Sequence, residues 1–127
     1  MSTILVFDDD AADAALISRI AEDGDHTVLA SRDVSEFQLQ MTRQPIDLAI
    51  ISLATVHEQD TARLQSILDQ APDTKVFTIA PAQRGAGLTM LLRAESLGAR
   101  HLLAKPLDPD QLRTIFDLTF PQPAQQD

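Results

Sequence analysis

Three aspartates, Asp8, Asp9 and Asp10, follow directly on the apolar run Ile4-Leu5-Val6-Phe7. Carboxylates this close repel one another and call for a balancing cation, so the chemistry they suggest is divalent-metal binding or phosphoryl transfer. The apolar run reads as a strand buried on both faces, and residues 11–21 read as helix. Acids between a buried strand and a helix lie at the carboxyl edge of a parallel sheet, where open α/β folds place their ligands. Lys105, at the end of a later strand, is the cation that agrees with such a site. Asp10 and Asp13 have a plainer reading, as first-turn carboxylates that cap free amides. His26, His57 and His101 fall at no metal-ligand spacing and are expected on the surface or in loops.

The composition narrows what else the chain can do. Its 127 residues suit one domain with a single good core. A net charge of −9 speaks against direct nucleic-acid binding, which needs clustered Lys and Arg. With no Cys, disulfides and thiolate metal sites are excluded, and a reducing cytoplasm fits. No apolar run reaches bilayer length, so a membrane partner is not expected.

The elements that must position the acids alternate along the chain. After the first helix, which Gly24 can end in the left-handed conformation, a second strand is expected over residues 26–31. Asp33-Val34-Ser35-Glu36 resembles a capping box and starts a helix to about Arg43. Residues 47–53 read as a third strand, again buried and largely apolar, and a helix follows over 58–70. A fourth strand covers 75–80, residues 81–87 read as a loop with two Gly, and a helix covers 88–97. A short strand over 101–104 and a helix over 109–120 complete the pattern, with a Pro/Gln-rich tail or linker at 121–127. Five strands alternating with five helices predict an α/β, doubly wound, flavodoxin-like parallel sheet in the order 2-1-3-4-5.

Leu5-Val6-Phe7-Asp8-Asp9, Pro45-Ile46-Asp47-Leu48, Gly98-Ala99 and Lys105-Pro106, in this order, resemble the receiver domain of bacterial two-component response regulators. The resemblance covers about residues 3–120, and residues 1–120 are expected to form one receiver-like domain. It implies Mg²⁺ binding by Asp8, Asp9 and the Ala54 carbonyl, charge balance by Lys105, and a cis peptide before Pro106. It also puts the phosphate-accepting aspartate at Ser52, the phosphate-binding hydroxyl at Ala80 and the aromatic switch residue at Leu102. None of these three positions carries the family's residue.

The departures change the expected chemistry. Ser52 offers a neutral hydroxyl that is a poor nucleophile without a base, and a phosphoserine would be a stable ester. With Ser52 in the third place, Mg²⁺ binding is expected to weaken on the order of tenfold or more, so that no cofactor is required and Mg²⁺ is weak or absent. The lysine is then expected to bridge directly to Asp8 or Asp9. The reading is a degenerate receiver, not an enzyme, that works in the cytoplasm by phosphorylation-independent contact with protein partners such as a kinase or output domain. Surplus apolar residues on the last two helices suggest that contact surface, or a homodimer, with Arg84, Met90, Leu102, Leu118 and Phe120 on it. Two alternatives stay open: a phosphoryl-accepting regulator that uses an unconventional residue, and a small-ligand sensor that uses the vacated acidic pocket.

Overall fold

The β-branched and aromatic runs of the chain become the strands of one sheet, and the amphipathic stretches cover both of its faces. The computed structural model describes residues 2–81 and 87–121. In chain order the elements are β1 (Thr3–Phe7), α1 (Ala11–Asp23), β2 (Thr27–Ser31), α2 (Val34–Arg43) and β3 (Leu48–Ser52). There follow α3 (Thr61–Asp69), β4 (Lys75–Ala80), α4 (Gly87–Ser96), β5 (His101–Ala104) and α5 (Pro109–Thr119). All neighbouring strands are parallel, and their order is β2-β1-β3-β4-β5. This is the architecture that the alternating pattern predicts.

Because side chains alternate across a strand, each strand feeds two cores. Ile4, Val6, Leu48, Ile50, Phe77, Ile79 and Leu103 pack with Ile17 and Ile20 of α1 and with Leu112, Ile115 and Phe116 of α5. Leu5, Phe7, Ala49, Ile51 and Val76 pack on the other face with Phe37, Leu64, Ile67, Leu68 and Leu97. Every residue of β3 is buried, so this strand holds both layers to the sheet. Each such aliphatic side chain contributes about 1.5–3 kcal/mol by leaving water.

The helix ends show what local sequence can and cannot specify. Asp10 Oδ1 accepts from the Ala12 and Asp13 amides and starts α1. Asp33 Oδ1 accepts from the Glu36 amide, while Glu36 Oε1 reaches back to the Arg32 amide rather than to Asp33. The left-handed residue after α1 is Asp25, with φ of 65°, and not Gly24, with φ of −94°. Gly98, after α4, does take the left-handed conformation, with φ of 75°. The helix expected over 58–70 is divided, with a 3₁₀ turn over Glu58–Asp60 before α3.

Two side chains lie deeper than the sequence suggests, although His26 does fall in a loop, between α1 and β2. His26 is buried, with its ring centroid 5.0 Å from that of Phe120 and 6.2 Å from that of Phe116. Its aromatic neighbours come from the C-terminal part of the chain, which packs beside α1. Phe120 itself is half-buried against the α1–α5 core, under the Lys75 ammonium, so it is not a free surface residue.

Candidate functional site

Asp8 is the first residue after β1, and Ser52 is the last of β3. The two strands pair through Phe7 and Ile51, which brings both residues to the same carboxyl edge of the sheet. Ala80 closes β4, and its carbonyl accepts from the Lys105 amide at 3.2 Å. Asp8, Asp9, Ser52, Ala80 and Lys105 therefore meet at one edge. The Lys105–Pro106 peptide is cis.

Asp8 is buried, and burial raises its pKa above the usual carboxylate value despite the Asp10 amide and Lys105, which act the other way. Its Oδ1 accepts from the Asp10 amide at 2.9 Å. Its Oδ2 has no hydrogen-bond partner among the described residues, and neither has the fully buried Ser52 Oγ. Asp9 is exposed. A partner that sequence reasoning missed joins the two acids: Thr55 Oγ1 lies 3.1 Å from Asp9 Oδ1 and 3.5 Å from Asp8 Oδ1. The same oxygen accepts from the Asp9 amide at 3.2 Å. Thr55 is buried in the loop after β3, and a hydroxyl three residues past a strand end carries no signal in the sequence alone.

Lys105 does not bridge to Asp8 or Asp9. Its Nζ lies 2.8 Å from Asp13 Oδ2 and 3.7 Å from Asp10 Oδ2, both on the first turn of α1. The lysine stem passes the strand ends and reaches the first turn of α1, where Asp13 is less buried than Asp8 and less desolvation opposes the pair. Burial lowers the Lys105 pKa, but the hydrogen bond to Asp13 and the charges of Asp8, Asp13 and Asp10 outweigh it, and the net shift is upward. Asp10 is held below the usual carboxylate value, first by the Asp13 amide and then by the Ala12 amide and Lys105. Asp10 and Asp13 are thus more than helix caps.

The remaining sequence candidates separate. Ala54 is exposed beside Thr55, and Leu102 is 36% exposed on β5. Leu118 is 72% exposed on α5, whereas Met90 is half-buried against the second core and does not belong to a free surface. Its neighbours Leu88, Leu91 and Leu92 carry the exposed apolar area of α4 instead. Arg84 lies outside the described residues.

Solved structures share this arrangement of strands and helices. A response regulator from Thermotoga maritima superposes with a TM-score of 0.80 at 21% identity, over 94% of this chain and 97% of that one. The fold is that of response-regulator receiver domains. NtrX from Brucella abortus, in complex with ADP, matches the receiver fold of this chain with a TM-score of 0.79 at 22% identity. That match covers 93% of this chain but 26% of NtrX. A response regulator from Burkholderia pseudomallei, with a phosphorylated aspartic acid, calcium ion and citrate, matches with a TM-score of 0.72 at 19% identity. That match covers 92% of this chain and 65% of the other. No protein-family model and no curated protein matches the chain by sequence.

A divalent cation, implied by the receiver fold, does not fit the donors present. A hard cation wants several charged or carbonyl oxygens free to converge on it. Here Asp9 Oδ1 accepts from the Thr55 hydroxyl and Asp8 Oδ1 from the Asp10 amide, which leaves Asp8 Oδ2 as the buried oxygen without a partner among the described residues, and the third place holds a neutral serine. Among the described residues, no three acidic or histidine side chains come together as a cation cluster.

Proposed function

We propose that residues 1–120 are a receiver-like signalling domain that acts by protein contact without being phosphorylated. The observation that carries this reading is Ser52: its Oγ is fully buried and has no hydrogen-bond partner among the described residues, so no base is in place to activate it. Ala80 and Leu102 support the same reading, since neither can hydrogen-bond a phosphate or report one through an aromatic ring. The two-component context rests on the receiver fold. On this reading the domain is not an enzyme, needs no cofactor, and works in the cytoplasm.

The contact surface is the face formed by α4, β5 and α5. Leu88 (70%), Leu91 (48%), Leu92 (56%) and Leu118 (72%) are exposed there together with Leu102. An apolar group of this size favours a partner protein or a second copy of the chain over water.

The test is incubation with acetyl phosphate and Mg²⁺, followed by intact mass. The unmodified mass is expected, and an added phosphate would overturn the reading. Sedimentation of the wild type and of Leu91→Asp/Leu92→Asp then tests the surface: association that the double substitution leaves unchanged would place it elsewhere.

A further inference from the structure

We infer that Thr55 is the built-in occupant of the acidic edge: its hydroxyl holds Asp9 in place, stands between Asp9 and Asp8, and keeps a divalent cation out. The inference deepens the proposed function, because it explains how the edge holds one arrangement without metal or phosphate.

Four observations carry it. Thr55 Oγ1 donates its one proton to Asp9 Oδ1 at 3.1 Å and lies 3.5 Å from Asp8 Oδ1, so it stands between the two acids that a cation would otherwise join. It also accepts from the Asp9 amide at 3.2 Å, so donor and acceptor capacity are both used at one residue. Thr55 is buried and its bonds to Asp9 are partly shielded from water, which strengthens them. Finally, Lys105 is occupied by Asp13 and Asp10, so the hydroxyl is the group that meets the strand-end pair directly.

The tie also fixes the loop after β3. The adjacent Val56 carbonyl accepts from Arg93 Nη2 of α4 at 3.2 Å. Asp9 and Arg93 thus hold neighbouring residues of the same loop, one from the acidic edge and one from α4. Thr55 is a positioning residue: it acts through Asp8, Asp9 and this loop.

Two measurements test the inference. The first compares Mg²⁺ affinity, by titration calorimetry, in Ser52→Asp and in Ser52→Asp/Thr55→Val. Restoring the third carboxylate alone should leave binding weak, and removing the hydroxyl as well should tighten it by about tenfold, the equivalent of one charge-assisted hydrogen bond. Equal affinities in the two variants would overturn the inference.

The second uses amide hydrogen exchange in single variants and requires no metal. Thr55→Val should speed exchange at Asp9 and over residues 53–57 by about tenfold, and Thr55→Ser, which keeps the hydroxyl, should restore the slow rate. Unchanged exchange in Thr55→Val would overturn the inference even if the double variant fails to fold. Phosphate uptake by the wild type would sink the functional reading instead, and would leave the exchange result standing.

Discussion

Lys105 Nζ and Asp13 Oδ2 lie 2.8 Å apart and join the end of β5 to the first turn of α1. Both side chains are mostly buried, at 22% and 19% exposure, whereas Asp10, 3.7 Å from the same ammonium, is 43% exposed. The pair with Asp13 is therefore the stronger of the two. Asp13→Asn should cost about 1 kcal/mol in urea unfolding, and Asp10→Asn, which keeps an oxygen for capping, distinctly less. The lysine pKa is raised on folding, so this contribution is present below about pH 10.5 and is lost as pH rises through the folded value. Equal costs for the two substitutions would show that distance and burial do not rank these pairs.

Asp8 is charged where burial disfavours charge, and its Oδ2 has no partner among the described residues. Its folded pKa lies above 3.8, so the stability it contributes is present below about pH 3.8 and is lost as pH rises through the folded value. At neutral pH the ionised group is a net cost. Asp8→Asn keeps the Oδ1 acceptor and should stabilise the fold by about 1 kcal/mol, read as a higher urea midpoint at pH 7. A lower midpoint would mean that the carboxylate has a partner that its geometry does not reveal.

Ser52→Asp should do the opposite. It adds a third carboxylate to a buried edge whose lysine is already engaged, and should lower stability by about 2 kcal/mol or more. The substitution should not restore switching, since Ala80 and Leu102 remain. The check is exchange or chemical shift at α4 and β5 with acetyl phosphate and Mg²⁺. A large response there in the single variant would show that the missing hydroxyl and ring are dispensable.

His26 supplies a pH dependence at the opposite end of the sheet. Burial against Phe116 and Phe120 lowers its pKa from 6.5, aided by the chain's amino terminus and opposed by Asp25, Asp117 and Asp47. The folded state therefore favours the neutral ring, and the unfolded state binds the proton first. Stability is full above about pH 6.5 and is lost as pH falls through the folded value. Thermal unfolding between pH 7.5 and 5.5 should show this loss, and His26→Gln should flatten it. An equal slope in the variant would assign the loss to other groups.

Much of this protein was determined by its sequence alone. Apolar runs of strand length, spaced by amphipathic stretches, specify a parallel sheet with helices on both faces, because both the pattern of burial and the right-handed crossover are local consequences of chain geometry. The position of Asp8, Asp9, Ser52, Ala80 and Lys105 at one edge followed from the strand ends, since parallel strands bring their carboxyl termini together. What only the tertiary structure decided is which side chains meet. Lys105 chose Asp13 over Asp8 because reach and solvation, not proximity in the sequence, select an ion partner. Thr55 reached the acids because the loop after β3 folds over β1, across 46 residues of chain. His26 was enclosed because α5 brings two phenylalanines to it from the far end. Pairings such as these are set by loop paths and side-chain lengths in three dimensions, which periodicity along one dimension does not encode.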